Sequence, residues 1–369
     1  MRVLVAPDGF AGTLSAVEAA AAVAAGWGRA APHDEVVTAP LSDGGPGFVD
    51  VLHATIGGQL VGVTVRGPLG APTAGAVLLA PGGTTAYVES AQACGLQLVS
   101  PEQRDPWRGS TNGVGELVLA ALEAGATTVV VGLGGSGTND GGAGFLAAIG
   151  AEPADRLSHG PRSVGALTAL DLAPARARLA GVRLVAASDV DNPLLGLRGA
   201  TNVYGPQKGA LPSDLPTLDG ALATLAELAD GKALAVAPGA GAAGGLGYGL
   251  FLLSAERVAG IATVLELTGF ARAVAGAGLV ITGEGSFDWQ SLRGKVVHGV
   301  AAACEPYGVP CIVLAGRVDV GRREMNANGI ESAYAMADLP GGVEAAMSHP
   351  GATLAALAER VARTWSPAR

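Results

Sequence analysis

The thirteen residues Gly132–Gly144, GLGGSGTNDGGAG, contain seven glycines and a single carboxylate, Asp140. So few side chains leave backbone amides open to a ligand. The run follows the apolar stretch TTVVVGL and precedes a helical one, so its N–H groups can gather at a helix N-terminus, a geometry that favours phosphate. No Gly-Lys-Ser/Thr closes it, and its spacing is not Gly-x-Gly-x-x-Gly. We read it as a backbone cradle for polyphosphate, against the plainer alternative of a tight turn capped by Asp140. Other carboxylates sit where apolar runs end: Asp8 in APDG, Asp43 in PLSDGG, and Glu284 and Asp288 in ITGEGSFDW. One such Asp is commonly a helix cap. Several together resemble a metal or general-base cluster. Asp189 and Asp191 in SDVDNP alternate and would point opposite ways on an extended chain. A turn at Asn192-Pro193 could bring them together. Lys208 lies in a further tight turn, GPQKG, and GAGAAGGLGYG is a second glycine tract whose plain reading is close helix packing.

Covalent hydrolase and zinc chemistries are disfavoured, because there is no Gly-x-Ser-x-Gly elbow and the five histidines lack ligand spacing. Phosphoryl transfer remains. It needs positioning, a divalent cation on carboxylates, and cations against the moving charge.

The elements that must hold these residues follow a β-α rhythm at both ends of the chain. RVLVAPD, DEVVTAP, GLVITGEG, PCIVLAGRV and ESAYAMA read as strands with Ala-rich helices between them, enough for one parallel sheet. The middle differs. LVGVTVRGPLGAPTAGAVLLA and TTAYVES alternate and turn at Gly/Pro, which predicts antiparallel strands, followed by the strands TTVVVGLGG and VRLVAASDV. Helices are expected around 113–125, 142–150 and 215–230. The prediction is an α/β protein: a doubly wound parallel-sheet domain from 1–61 and 263–369, with a second α/β domain, 62–262, inserted into it. In a flavodoxin-like strand order, the first strand and LVITGEG would flank the point where ligands bind.

The bulk composition agrees. A chain of 369 residues is long for one core, and 58 glycines with only 4% aromatics suit Gly-rich loops between Ala-rich helices. A net charge of −9 argues against a nucleic-acid or acidic-membrane partner. Cys94, Cys304 and Cys311 form neither a disulfide framework nor a metal knuckle. The N-terminus reads as a strand rather than a signal peptide, and no run reaches the ~18 uncharged apolar residues of a membrane helix. A cytoplasmic protein is expected.

Over nearly its whole length the chain resembles the bacterial glycerate kinases of the two-domain type. The blocks that carry the resemblance are APDGFAGTLSA, PLSDGG, ESAQACGL, GLGGSGTNDGGAGFLAAIG, SDVDNPLLGLRGATNVYGPQKGA, GAGAAGGLGYGL and LVITGEGSFDWQSLRGK. The resemblance implies a flavodoxin-like domain carrying the insert, an active site in the cleft, and ATP, Mg²⁺ and glycerate as ligands. A homodimer is compatible with it. On that basis Asp189 and Asp191 would hold Mg²⁺ or activate the substrate hydroxyl, with Asp140 a third catalytic candidate. Gly134, Gly135, Ser136 and Asn139 would form the phosphate loop. Lys208, Glu284 and Asp288 would complete the nucleotide site, and Asp8, Asp43 and Arg66 would face the substrate. The general base stays unassigned among these carboxylates. Family members usually carry Lys where this chain has Ala11 and Glu where it has Pro46. Loss of both partners of a pair predicts weakened or altered glycerate activity, and leaves a binding or sensor paralogue as the second reading.

Overall fold

The computed structural model describes residues 1–10 and 12–366. Ala11, one of the two departures from the family pattern, lies outside the described residues. Among those described, eleven strands form two sheets: β1 (Arg2–Val5), β2 (Glu35–Thr38), β3 (Gln59–Arg66), β4 (Pro72–Leu79), β5 (Thr85–Glu89), β6 (Thr128–Gly132), β7 (Arg183–Ala187), β8 (Glu256–Val258), β9 (Leu279–Phe287), β10 (Cys311–Val318) and β11 (Ile330–Ala335). By compactness the chain divides into two units, Met1–Asp43 with Ile261–Arg369, and Gly44–Gly260.

The first unit holds the order β11-β10-β9-β1-β2, with every neighbouring pair parallel. Counted within the unit this is 2-1-3-4-5, the flavodoxin-like order, and the strand order reverses between β1 and β9. Both faces of such a sheet are covered, so β1 and β9 read as nearly continuous apolar runs. The helix Ala16–Ala30 begins in a capping box, in which Ser15 Oγ accepts from Glu18 N and Glu18 accepts from Ser15 N. It packs on the closing helix Pro350–Trp365, where Gly26 lets its backbone approach Ala355.

The second unit holds β3-β4-β5-β6-β7-β8. The β3–β4 and β4–β5 pairs are antiparallel and the rest parallel, so the middle strands change character where the alternation predicts. Helices Asn112–Glu123, Ala143–Ile149 and Leu215–Leu228 occupy the expected gaps. The boundary expected at residue 62 falls inside β3 and is corrected to 43/44. The helix Phe48–Ile56 packs on β4 and β5, and β3 pairs along its whole length with β4. A β-α rhythm continues unbroken across that point, so the local pattern carries no mark of the boundary. No helix among the described residues is long and apolar enough to cross a membrane.

Candidate active site

In the first unit, the strand ends at the reversal point deliver the acidic residues. Asp8 follows β1, its amide donating to Gly283 O on β9 at 2.8 Å and its Oδ1 accepting from Gly9 N at 2.7 Å. Glu284 is the next residue along β9 and is buried, with Oε1 lacking a hydrogen-bond partner. Burial raises its carboxyl to about 7, and the charges of Asp288 and Asp43 push the same way, while Ser291 and Lys295 offset part of the rise. Burial likewise holds Asp8 well above the usual carboxylate range, helped by repulsion from Asp43 and Glu284 and opposed by the Gly9 amide and Lys295. Asp288 caps the turn after β9, its Oδ1 accepting from Gln290 N at 2.7 Å. The strand order therefore brings Asp8, Asp43, Glu284 and Asp288 into one electrostatic neighbourhood, with Lys295 as its cation.

No group of three or more His, Cys, Asp or Glu side chains among the described residues forms a ready-made metal cage. Mg²⁺ does not need one, because it is usually held by one or two carboxylates together with waters and phosphate oxygens. The unpartnered Glu284 oxygen and mutually repelling carboxylates fit such a cation.

In the second unit, the glycine loop leaves β6 and is crowded by its own chain. A Cβ on Gly132 would lie 2.5 Å from Gly44 O, one on Gly134 2.5 Å from Gly45 Cα, and one on Gly135 2.8 Å from Pro46 Cγ. The backbone that comes close to these glycines is the protein's own. Asp140 is fully buried. Its Oδ2 accepts from Thr111 N (2.8 Å), Thr111 Oγ1 (2.8 Å) and Gly144 N (3.0 Å), and its Oδ1 from Gly142 N (3.1 Å). Burial raises its carboxyl and these donors pull it back. Lys208 is 2% exposed and donates from Nζ to Ser136 Oγ at 2.9 Å and Thr138 O at 2.6 Å. Burial brings its ammonium down to about 8. Asn139, also fully buried, donates from Nδ2 to Thr201 Oγ1 at 2.9 Å. The polar side chains of the loop are thus turned inward and hold it in shape.

The remaining expected residues are dispersed over this unit. Asp189 and Asp191 follow β7. Asp191 is exposed and its Oδ1 is ion-paired with Arg257 Nη2 at 2.6 Å. Arg66 ends β3, and Glu116 takes its Nε at 2.7 Å and its backbone N at 2.7 Å. One group was missed from the sequence. Glu89 ends β5, is 4% exposed, and accepts from Gly47 N and Val49 N at the start of helix Phe48–Ile56. Burial raises it to about 7. Glu89 had a signal, since it opens the block ESAQACGL. Pro46 is exposed, and Phe48 two residues on is buried edge-on to Tyr87, with ring centroids 6.0 Å apart.

A two-unit α/β architecture with acidic strand ends at a parallel-sheet reversal defines a class of ligand-binding enzyme folds. Residues 3–366 match the glycerate kinase family, and the chain belongs to it. It is 40% identical to the glycerate kinase of Bacillus subtilis (strain 168), over 93% of this chain and 91% of that protein. It is also 40% identical to the glycerate 2-kinase of Escherichia coli (strain K12), over 91% and 90%. A crystal structure assigned to glycerate kinase 2 of Salmonella typhimurium LT2 superposes with a TM-score of 0.76 at 36% identity, covering 99% of this chain and 98% of that one.

Proposed function

We propose that the protein transfers the γ-phosphate of ATP to a hydroxyl of D-glycerate, giving 2-phosphoglycerate. The match to the glycerate kinase family along the chain carries this reading, and a relative named glycerate 2-kinase favours the 2-hydroxyl. Mg²⁺, when bound, would neutralise phosphate charge. Glu284 with Asp8 or Asp43 is a better seat for it than Asp191, whose charge is already met by Arg257. Lys295 supplies positive charge beside these carboxylates. Asp140 and Asn139 in the glycine loop, and Lys208 reaching into it from the turn GPQKG, act as positioning residues rather than as ligands of substrate or metal, since their polar atoms are buried within the fold.

The test is ATP consumption with and without D-glycerate, with the product identified by phosphorus NMR. Glycerate-dependent ADP release and a 2-phosphate signal are expected. Glycerate binding without ATP consumption would instead favour the binding-protein reading.

A further inference from the structure

The six-stranded sheet of the second unit begins at β3, whose eight residues, QLVGVTVR, pair on one side with β4 and on the other with no strand among the described residues. Hydrogen bonds at its end show which residues face the open side. Gly67 N donates to Ala71 O at 2.7 Å, so these two are a bonded pair of the ladder. Bonded pairs recur at every second residue of an antiparallel ladder, which turns Val65, Val63, Val61 and Gln59 toward β4. Arg66 must then point its amide away, and it does. It stands opposite Pro72, and its N donates to Glu116 Oε2 at 2.7 Å. Leu60, Gly62 and Thr64 share that orientation. Their N–H and C=O groups leave the ladder, and among the described residues no hydrogen bond joins them to another element.

An unpaired edge invites another strand, and proteins usually blunt edges with charge, proline, bulges or shortness. The other edge strands are blunted. β2, β8 and β11 have four, three and six residues, and they carry Glu35, Glu256 with Arg257, and Glu331. β3 is longer than any of them, and its register with β4 runs without a bulge. Residues 59–65 include neither a charge nor a proline. Leu60, Gly62 and Thr64 are exposed, and a Cβ on Gly62 would meet nothing within 4 Å.

These three open residues are self-complementary about Gly62. A twofold axis through Gly62, perpendicular to the sheet, runs a second β3 antiparallel to the first and keeps each face on its own side. It sets Leu60 against Thr64 of the copy and Gly62 against Gly62, so that every open residue exchanges both its N–H···O bonds. Between them Val61 meets Val63 of the copy, a β-branched cross-strand pair. Both valines lie on the face where the helix Asn112–Glu123 packs and Leu117 covers Gly75. A net charge of −9 sets two copies to repel, and this uncharged edge lets them meet with no like charges opposed. We infer that β3 is a self-association edge, which pairs with β3 of a second copy of this chain across a twofold axis at Gly62. Such a contact is closed, because each copy spends its open edge on the other.

Few paired residues make a small interface, so the association depends on concentration. Sedimentation equilibrium of the full chain is expected to show a mass that rises from one chain toward two. Hydrogen exchange at the amides of Leu60, Gly62 and Thr64 should slow over the same range. Two double substitutions test the register. Leu60→Lys with Thr64→Lys sets Lys against Lys at both ends of the pairing, and should weaken self-association about tenfold or more. Leu60→Lys with Thr64→Glu sets Lys against Glu and should retain it. The replaced side chains are exposed, so the melting temperatures of both should stay close to the wild type. A wild type that stays one chain at every concentration, or grows beyond two, would overturn the pairing. So would equal self-association of the two double variants, or a dimer in which those three amides exchange freely.

Discussion

Glu284 shows how one residue couples function to stability. Its carboxyl is raised from 4.5 to about 7, first by burial and then by like charges. Between those values the folded chain holds a proton that the unfolded chain has lost. The sign follows: this group's contribution is fully present below 4.5, falls as pH rises, and is gone above 7. Glu284→Gln cannot ionise, so it should be more stable than the wild type at pH 8, by at most about 3 kcal/mol, with no advantage at pH 4. If Glu284 serves the reaction, the same variant should lose about tenfold or more of its ATP-dependent turnover. Melting curves at the two pH values with rates at pH 8 check both. Equal stability at pH 8 would mean that the carboxylate is not strained. Glu89, raised to the same value by burial, predicts a similar stability gain for Glu89→Gln, whose side-chain oxygen can still accept from Gly47 and Val49. A shallower fall in melting temperature between about pH 4.5 and 7 than in the wild type is the expected result, with the fall that remains belonging to groups such as Glu284.

At the scale of elements, the glycine loop is a packing device. A Cβ at Gly144 would run into Ser110 Oγ and lie 2.5 Å from Asn112 N, where the loop meets the start of the helix Asn112–Glu123. Gly144→Ala is therefore expected to destabilise by roughly 1–3 kcal/mol, the usual cost of overpacking. Gly220, within the helix Leu215–Leu228, meets nothing within 4 Å and has an ordinary helical backbone. Gly220→Ala should be stabilising by roughly 0.4–1 kcal/mol. Urea denaturation of the two variants measures the contrast. Equal effects would show that close approach does not explain the loop.

For the whole molecule, each unit owns its apolar core. One cluster draws on residues from Val65 to Leu253, all within the continuous second unit. The other joins Val3, Trp27 and Ile281 to Leu354 and Ala362, from both ends of the chain. The segment 44–260 carries its own six-stranded sheet and core, so produced alone it should unfold cooperatively in urea. A non-cooperative, dye-binding fragment would show that the second core depends on the rest of the chain. A fragment begun at residue 62 should fare worse, because it lacks the helix Phe48–Ile56 and the first residues of β3.

Local pattern determined much of this protein. Apolar runs of strand length, the switch from helical to alternating periodicity, and Gly/Pro turns made the antiparallel middle and every strand legible except the three-residue edge strand β8, which is too short and too exposed to show a period. The carboxylates after β1, β2 and β9 were legible as a group for the same reason: strand ends can be read, and the strand order then brings them together. Tertiary structure alone decided which residues face inward. Asp140 and Asn139 in the glycine-rich string, and Lys208 in the turn GPQKG, look like ligand-binding residues, yet their partners Thr111, Thr201 and Ser136 come from elsewhere in the chain. Sequence spacing carries period and propensity. It does not carry burial, which depends on what the folded chain lays against each side chain.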